Sequence, residues 1–407
     1  MRTDLFDAGA WRRRLVRALL SAALFVAGVS WLPYWWCSRP ADAWYRGDAT
    51  LQSALANGVD AHVRRDLGRH NFKTGSDQFN GEWLFGTYLM AGLGFGQTAI
   101  EHPEWRAQNA ARMRLCIQRL LTPEVRAFDT ETWHSDALET LEERPAHAAY
   151  LGYLNLLLGF HRIVAPDSEY AALNDRITAA LVRRLEKSRI LLLESYPGEI
   201  YPVDNCAVVG SIGLHGLASG ANHKALLDLW SATCRARYVD PRSGLLYQGV
   251  ETGSAEPADD PRGSGTCLGL YFLSFADPVL SRDLYNSVRK NLARTVLGFG
   301  GVREYPGSVH GGTGDIDSGP VVLGFGLSPT GFLIAGTRLY ADPGYFKRLY
   351  ATAHAWGAPY ARDGKMNFVT GGSLGDAILF AMLTAMPPDR IAQYAAAAGP
   401  QAKGGAP

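Results

Sequence analysis

The sequence predicts an all-α protein: an (α/α)6 barrel of about twelve helices with short β hairpins in its loops, preceded by an N-terminal membrane helix. Three observations predict it. Apolar residues recur at helical spacing through most of the chain, as in Ala149, Gly152, Tyr153, Leu156 and Phe160, which form one stripe of a helix. Short Gly/Pro/Asp loops separate these stretches, with no Ser-rich, Pro-rich or charged linker between them. A basic cluster, Arg12, Arg13, Arg14 and Arg17, precedes an uncharged apolar stretch over 18–36.

The N-terminal segment comes first. Residues 1–17 read as a basic cytoplasmic end and 18–36 as a membrane anchor, since nineteen residues at helical rise just cross a hydrocarbon layer of roughly 30 Å. The stretch ends in Trp31, Tyr34, Trp35 and Trp36, an aromatic group suited to the far interface. The competing reading is a signal peptide cleaved near Ala41-Asp42-Ala43. Either way the body is expected outside the cytoplasm; with the anchor retained, it is a single-pass protein of the inner membrane facing the periplasm.

Residues 44–390 read as one barrel domain and 391–407 as a disordered tail rich in Ala, Gly and Pro. Helices are expected at 48–66, 81–101, 105–121, 144–163, 168–187, 207–218, 223–234, 264–274, 278–296, 319–340, 343–355 and 375–386. Sequential helical hairpins of this number suit two concentric rings, with an irregular α-solenoid as the alternative. Short strands are expected around Ile190–Leu193, Leu245–Val250 and Val302–Tyr305.

A hydrophobic content of 47% supports a large core. Lys and Arg (40) balance Asp and Glu (39), so no broad positive face exists to hold nucleic acid. The five cysteines show neither a CxxC pair nor Cys/His metal spacing, and four read as small apolar core groups.

Two loops carry the acids. Asp204 and Asn205 stand beside Pro202 ahead of an apolar run, as helix caps or, for Asp204, as a substrate-facing acid. Asp315 and Asp317 lie two apart in a glycine-rich loop, where neighbouring carboxylates share a proton or cap the following helix, with a calcium site as the weaker alternative. His310 is their candidate relay. Tyr201 can donate a hydrogen bond while its ring faces a cation. Tyr153 stands on an apolar helical face, Tyr247 follows the Asp240-Pro241 turn, and Cys206 lies in the Asp204 loop. Glu82 and Trp83 are candidates for the barrel mouth, with Glu199 and Glu304 as secondary acids.

Five segments together resemble the linalool dehydratase/isomerase family: Tyr153-Leu154-Asn155-Leu156 with Gly159; Pro202 to Asn205; Asp240-Pro241 with Gly244 and Tyr247; Gly312 to Gly319; and Gly372-Ser373-Leu374 with Asp376. The resemblance implies an (α/α)6 barrel, often a homo-oligomer, that removes or shifts the hydroxyl of an allylic alcohol without cofactor or metal. This chain departs from the family pattern where a histidine is expected, at Tyr153, and at the two cysteines bracketing the Asp-Asn loop, where Tyr201 and Gly210 stand. Cys206 replaces the second only with a shortened loop.

Three functions are therefore in view. One is a lyase or isomerase acting on a small hydrophobic alcohol, in which an acid protonates the departing hydroxyl and aromatic faces stabilise the cation. Another is an exported glycoside hydrolase using two loop carboxylates on a glycan. The last is a non-catalytic, membrane-tethered binding protein. The two enzyme readings require the Asp204 and Asp315/Asp317 loops to share one water-poor hollow.

Overall fold

The computed structural model describes residues 8–307, 309, 314, 318–322 and 324–398. The described chain is mostly helical, with a few short strand hairpins and one N-terminal apolar helix. In chain order the elements begin with α1 (Ala8–Ser38), α2 (Ala41–Tyr45), α3 (Ala49–Val63), α4 (Asp77–Glu101), α5 (Arg106–Leu120), α6 (Pro123–Trp133), α7 (Ala148–Val164) and α8 (Ala171–Lys187). There follow α9 (Pro202–Ser219), α10 (Lys224–Arg237), α11 (Gly263–Leu273) and α12 (Pro278–Asn291), then strands β1 (Ala293–Val296), β2 (Phe299–Arg303), β3 (Val321–Val322) and β4 (Phe325–Gly326). The chain ends with α13 (Leu327–Leu339), α14 (Pro343–Gly357), β5 (Pro359–Arg362), β6 (Lys365–Phe368), α15 (Gly372–Thr384) and α16 (Pro388–Ala398).

Side-chain caps start several helices where the sequence places short acids or hydroxyls. Asp48 accepts from Leu51 N, Ser76 from Phe79 N, Asp277 from Val279 and Leu280 N, and Asp342 from Tyr345 N. Helix α4 packs on α7, α7 on α9, α9 on α11, α11 on α13, α13 on α15, and α15 on α4. The more amphipathic helices cover these: α5 lies on α4 and α7, α8 on α7 and α9, α12 on α11, α14 on α13, and α3 on α15 and α4.

Glycines set how closely these helices approach. A Cβ at Gly210 of α9 would lie 2.3 Å from the Phe272 carbonyl oxygen of α11. At Gly94 of α4 it would lie 2.3 Å from the Phe380 ring of α15, and at Gly152 of α7 2.8 Å from Val208 of α9. Large buried side chains, Phe95, Phe160, Phe272 and Tyr271 among them, fill the space between the helices.

The strands form two small sheets. β1, β2, β4 and β3 lie side by side in that order, all antiparallel, with Ala293 opposite Val302 and Val302 opposite Gly326. β5 and β6 form a hairpin tied to the helices by Asp376. That carboxylate accepts from the amides of Asn367 (2.8 Å) and Phe368 (2.5 Å) and bonds His62 Nε2 at 2.8 Å.

Several expected elements differ. The 278–296 helix stops at Asn291, because Thr295-Val296 and the Leu297-Gly298 turn favour a strand over a further helical turn. The 319–340 helix starts only at Leu327, after β3 and β4 turn back at Gly324 with φ of 81°. Helix α6, opened by Pro123 at its first position, was not anticipated. The stretch 190–193 is not a strand, and 245–250 makes only isolated bridges. Helix α16 reaches Ala398 and buries Ile391, so 391–398 is ordered helix rather than disordered tail; the remainder of that segment lies outside the described residues.

Helix α1 is long and apolar enough to cross a membrane, a property a signal sequence shares. Its 18–36 stretch is largely exposed, and it meets the body near its C-terminal end. There Tyr34 meets the Phe299 ring edge-on at 5.7 Å and Cys37 is buried.

The glycine contacts give a test of the packing. Gly210→Ala is expected to cost about 2–3 kcal/mol, because a backbone carbonyl cannot swing aside. Gly331→Ala, in α13 with nothing within 4 Å of the new Cβ, should be neutral or stabilising by up to about 1 kcal/mol. Thermal unfolding of both variants checks the contrast; equal melting temperatures would refute the close approach of α9 and α11.

Candidate active site

A cavity of about 780 Å3 is bounded by α4, α7, α9, α11, α13 and α15, together with the loops before α4, α9 and α11. Its volume suits a small-molecule ligand. Its lining is partly apolar, from Phe85, Leu89, Met90, Leu268, Phe332 and Ile378, and partly polar, from Glu82, Tyr153, Tyr196, Asp204, Gln248 and Arg262.

Asp204 stands in the first turn of α9, whose start is set by Pro202 at the first helical position. Neither Asp204 nor Asn205 caps the helix; Tyr201 holds the cap position without a side-chain cap bond. Asn205 is buried and instead pins the preceding loop, its amide oxygen accepting from Leu193 N (2.8 Å) and its NH2 donating to Leu193 O (3.0 Å). That leaves Asp204 at the cavity wall, where the Tyr153 hydroxyl donates to its Oδ1 at 2.7 Å. The Tyr153 ring is held edge-on by Phe85 and Phe272, at 6.4 and 5.2 Å.

Burial pushes the Asp204 carboxyl above the usual carboxylate range, against the opposing pull of hydrogen bonds with Ser195 and Tyr153. A carboxyl raised in this way holds its proton to higher pH than an exposed aspartate does, the direction that acid catalysis requires. Ser195 reaches this position because its loop is latched from behind. Trp133 Nε1 donates to the Ser195 carbonyl (3.3 Å), Ala148 N donates to Glu194 O (3.1 Å), and the buried Asp129–His147 pair (2.7 Å) holds α6 to the start of α7.

A Pro197-Gly198 turn follows, with Gly198 at φ of 80° and Glu199 N donating to Tyr196 O at 2.9 Å. It sets Tyr196 and Tyr201 beside the cavity. The Tyr196 hydroxyl donates to Glu82 Oε1 at 2.6 Å, and burial first, then Glu82, pushes its pKa well above the ordinary tyrosine value. Tyr201 donates to Glu199, an exposed carboxylate, at 2.9 Å. Trp83 lines the cavity and meets Phe72 edge-on at 6.4 Å.

Arg262 enters from the loop before α11. Its Nε donates to Glu304 Oε1 at 2.9 Å, and the Ser264 hydroxyl donates to the same oxygen at 2.6 Å. Burial raises the Glu304 carboxyl above its usual range although Ser264 and Arg262 pull it down. Glu304 thus acts behind Arg262 rather than in the cavity.

The structure therefore brings Asp204, Tyr153, Tyr201, Glu82, Trp83 and Glu199 to one cavity. Two expected ligand contacts are not there. Cys206 is fully buried against α11, with burial pushing its thiol well above the ordinary range, because helix α9 already includes it and turns it to the core. Tyr247 is not among the lining residues; its hydroxyl lies 3.5 Å from Asp240 in the turn before it. Asp315, Asp317 and His310 lie outside the described residues; their neighbour Ser318 accepts from the backbone N of Ser328, a lining residue, at 3.1 Å. Sequence reasoning missed Tyr196, Gln248 and Arg262. The Tyr-Pro-Gly-Glu turn was a readable signal for Tyr196, whereas nothing local marks Arg262 or Gln248.

No protein-family model matches this chain, and no curated protein matches it in sequence.

The raised Asp204 pKa carries a stability consequence with a definite sign. Stability from this group is fully present below the ordinary aspartate range and is lost as pH rises through its folded-state value. Asp204→Asn, which cannot ionise, is expected to melt higher than the parent at neutral pH, with the gap closing below about pH 4. Thermal unfolding of both proteins across that range checks it; a gap that widens on acidification would show an ionised, stabilising carboxylate instead.

Proposed function

We propose that the chain is an (α/α)6 barrel enzyme, a hydro-lyase or isomerase that removes or shifts the hydroxyl of a hydrophobic allylic alcohol. The cyclic order of contacts from α4 through α7, α9, α11, α13 and α15 supports an inner ring of six helices. The observation that carries the functional reading is the buried Asp204, its pKa raised by burial, beside Tyr153 on a cavity also lined by hydrocarbon and aromatic side chains.

In this reading the Asp204 proton passes to the substrate hydroxyl, the C–O bond breaks and water leaves. The Tyr153 hydroxyl, already donating to Asp204, stabilises the carboxylate at the moment it forms. The allylic cation lies against aromatic faces such as Phe85, Trp83 and Phe332, contacts worth roughly 2 kcal/mol or more each when dry. Asp204 then recovers its proton, either from water adding at the other end of the allyl unit or from the carbon next to the cation. This sequence is of the kind the linalool dehydratase/isomerase resemblance implies, with Asp204 and Tyr153 in place of cysteine chemistry.

A glycoside hydrolase is the second reading, favoured by Glu82, Glu199 and Asp259 together with Trp83 at the same cavity. We place the body on the extracytoplasmic side of the inner membrane, supported by Arg12, Arg13, Arg14 and Arg17 at one end of the apolar stretch and tryptophans at the other.

Purified full-length protein incubated with primary and tertiary allylic alcohols should give alkene or transposed alcohol, read by gas chromatography. Asp204→Asn is expected to slow this by about 10²–10⁴-fold, while Glu199→Gln on the rim leaves it nearly unchanged. Turnover of oligosaccharides instead, lost in Asp204→Asn, would transfer the site to the second reading; activity indifferent to Asp204→Asn would remove the acid assignment.

A further inference from the structure

The tip of the β1–β2 hairpin carries the wrong residues for a water-facing turn. Val296 pairs with Phe299, leaving Leu297 and Gly298 as a two-residue loop with φ of 50° and 90°. Such loops favour Asn, Asp or Gly at the first position, where a leucine is strained. Leu297 is nevertheless 64% exposed, and Val296 beside it 55%. Among the described residues, nothing covers this apolar tip.

Its position says what does. A Cβ on Gly298 would fall 2.6 Å from the Tyr34 ring, and Phe299 packs on the same ring. Tyr34 lies two residues before the end of the 18–36 apolar stretch, about 3 Å along the helix. The turn is therefore level with the boundary of any bilayer that this stretch crosses. Around it stand Trp31, Trp35 and Trp36, all exposed, with the Arg39 guanidinium 5.1 and 5.5 Å from the rings of Trp35 and Trp36. Aromatic rings and an arginine reaching outward along them are interfacial chemistry.

We propose that the Val296-Leu297 tip is a second membrane contact, seated in the headgroup and upper acyl region of the bilayer beside α1. A single helix leaves the body free to tilt; two adjacent attachments fix its orientation. The inference rests on the reading of α1 as a retained span, and its test separates the two.

Full-length protein is reconstituted into vesicles of phosphatidylcholine and phosphatidylglycerol. Single cysteines are introduced by Leu297→Cys at the tip, Leu24→Cys within the span, and Val279→Cys at the far end of α12, about 18 Å of helix away from β1. The five native cysteines are buried, so an environment-sensitive maleimide dye reports the introduced thiol. The dye at 297 is expected to lose most of its fluorescence to lipids brominated near the headgroup and to be shielded from aqueous iodide, while the dye at 279 shows the reverse. Lipid quenching at 24 with a water-like response at 297 would overturn the tip contact alone. A water-like response at both positions would overturn the span and the tip contact together. As a check on folding, Leu297→Asn suits the turn and should keep or raise the melting temperature, yet reduce lipid quenching of a dye placed by Thr295→Cys; unchanged quenching there would count against the proposal.

Discussion

Close approach between neighbouring helices is the constraint on which the rest of the structure depends. Where Gly94, Gly152 and Gly210 stand, any side chain would meet the facing helix at less than 3.0 Å. Each glycine costs about 1 kcal/mol of helix propensity against alanine. The Phe and Leu side chains that close contact buries contribute about 1.5–3 kcal/mol apiece, so packing wins. One consequence reaches the site directly. Gly152 seats α7 against Val208 of α9, and Tyr153, the next residue round the helix, reaches Asp204 at the start of the same α9.

Opposing electrostatic effects then act on Asp204. Its place in the first turn of α9 favours the charged form, by about 0.3–1 kcal/mol in exposed settings. Hydrogen bonds with Tyr153 and Ser195 favour it as well. Desolvation opposes all of these and prevails, so the Asp204 carboxyl lies above the usual carboxylate range. The balance depends on elements remote in sequence: the Trp133 and Asp129–His147 latches that seat Ser195, and the aromatic packing that holds Tyr153. Glu304 repeats the pattern behind Arg262, a buried carboxyl held by hydrogen bonds but raised by burial.

Much of the helical order was legible in the sequence, because an apolar stripe buried against a neighbour leaves its period in the chain. The helices expected at 105–121 and 223–234 form at Arg106–Leu120 and Lys224–Arg237. The errors fall where local pattern is silent. Residues 279–296 contain no glycine or proline, so only the β-branched Thr295-Val296 near the end marks the change to a strand at Ala293. Cys206 reads from the sequence as part of the Asp204 loop, whereas proline at the first helical position starts α9 and turns Cys206 inward. Asp376 looked like part of a motif and proves to be the clamp that holds β5–β6 to the helices through His62, Asn367 and Phe368.

The sequence by itself determined the helical class, the apolar N-terminal stretch with its basic and aromatic ends, and the choice of Asp204, Tyr153, Glu82 and Trp83 as residues worth watching. Apart from Tyr153, which was singled out by the family resemblance, these follow from period, composition and turn chemistry, which act over a few residues. Only the tertiary structure decided that Tyr153 meets Asp204 across 51 positions, that Tyr196 and Arg262 share their cavity, and that Cys206 and Tyr247 do not. Which side chains meet is set by the packing of helices far apart in the chain, and the desolvation that raises the Asp204 pKa exists only once that packing has excluded water.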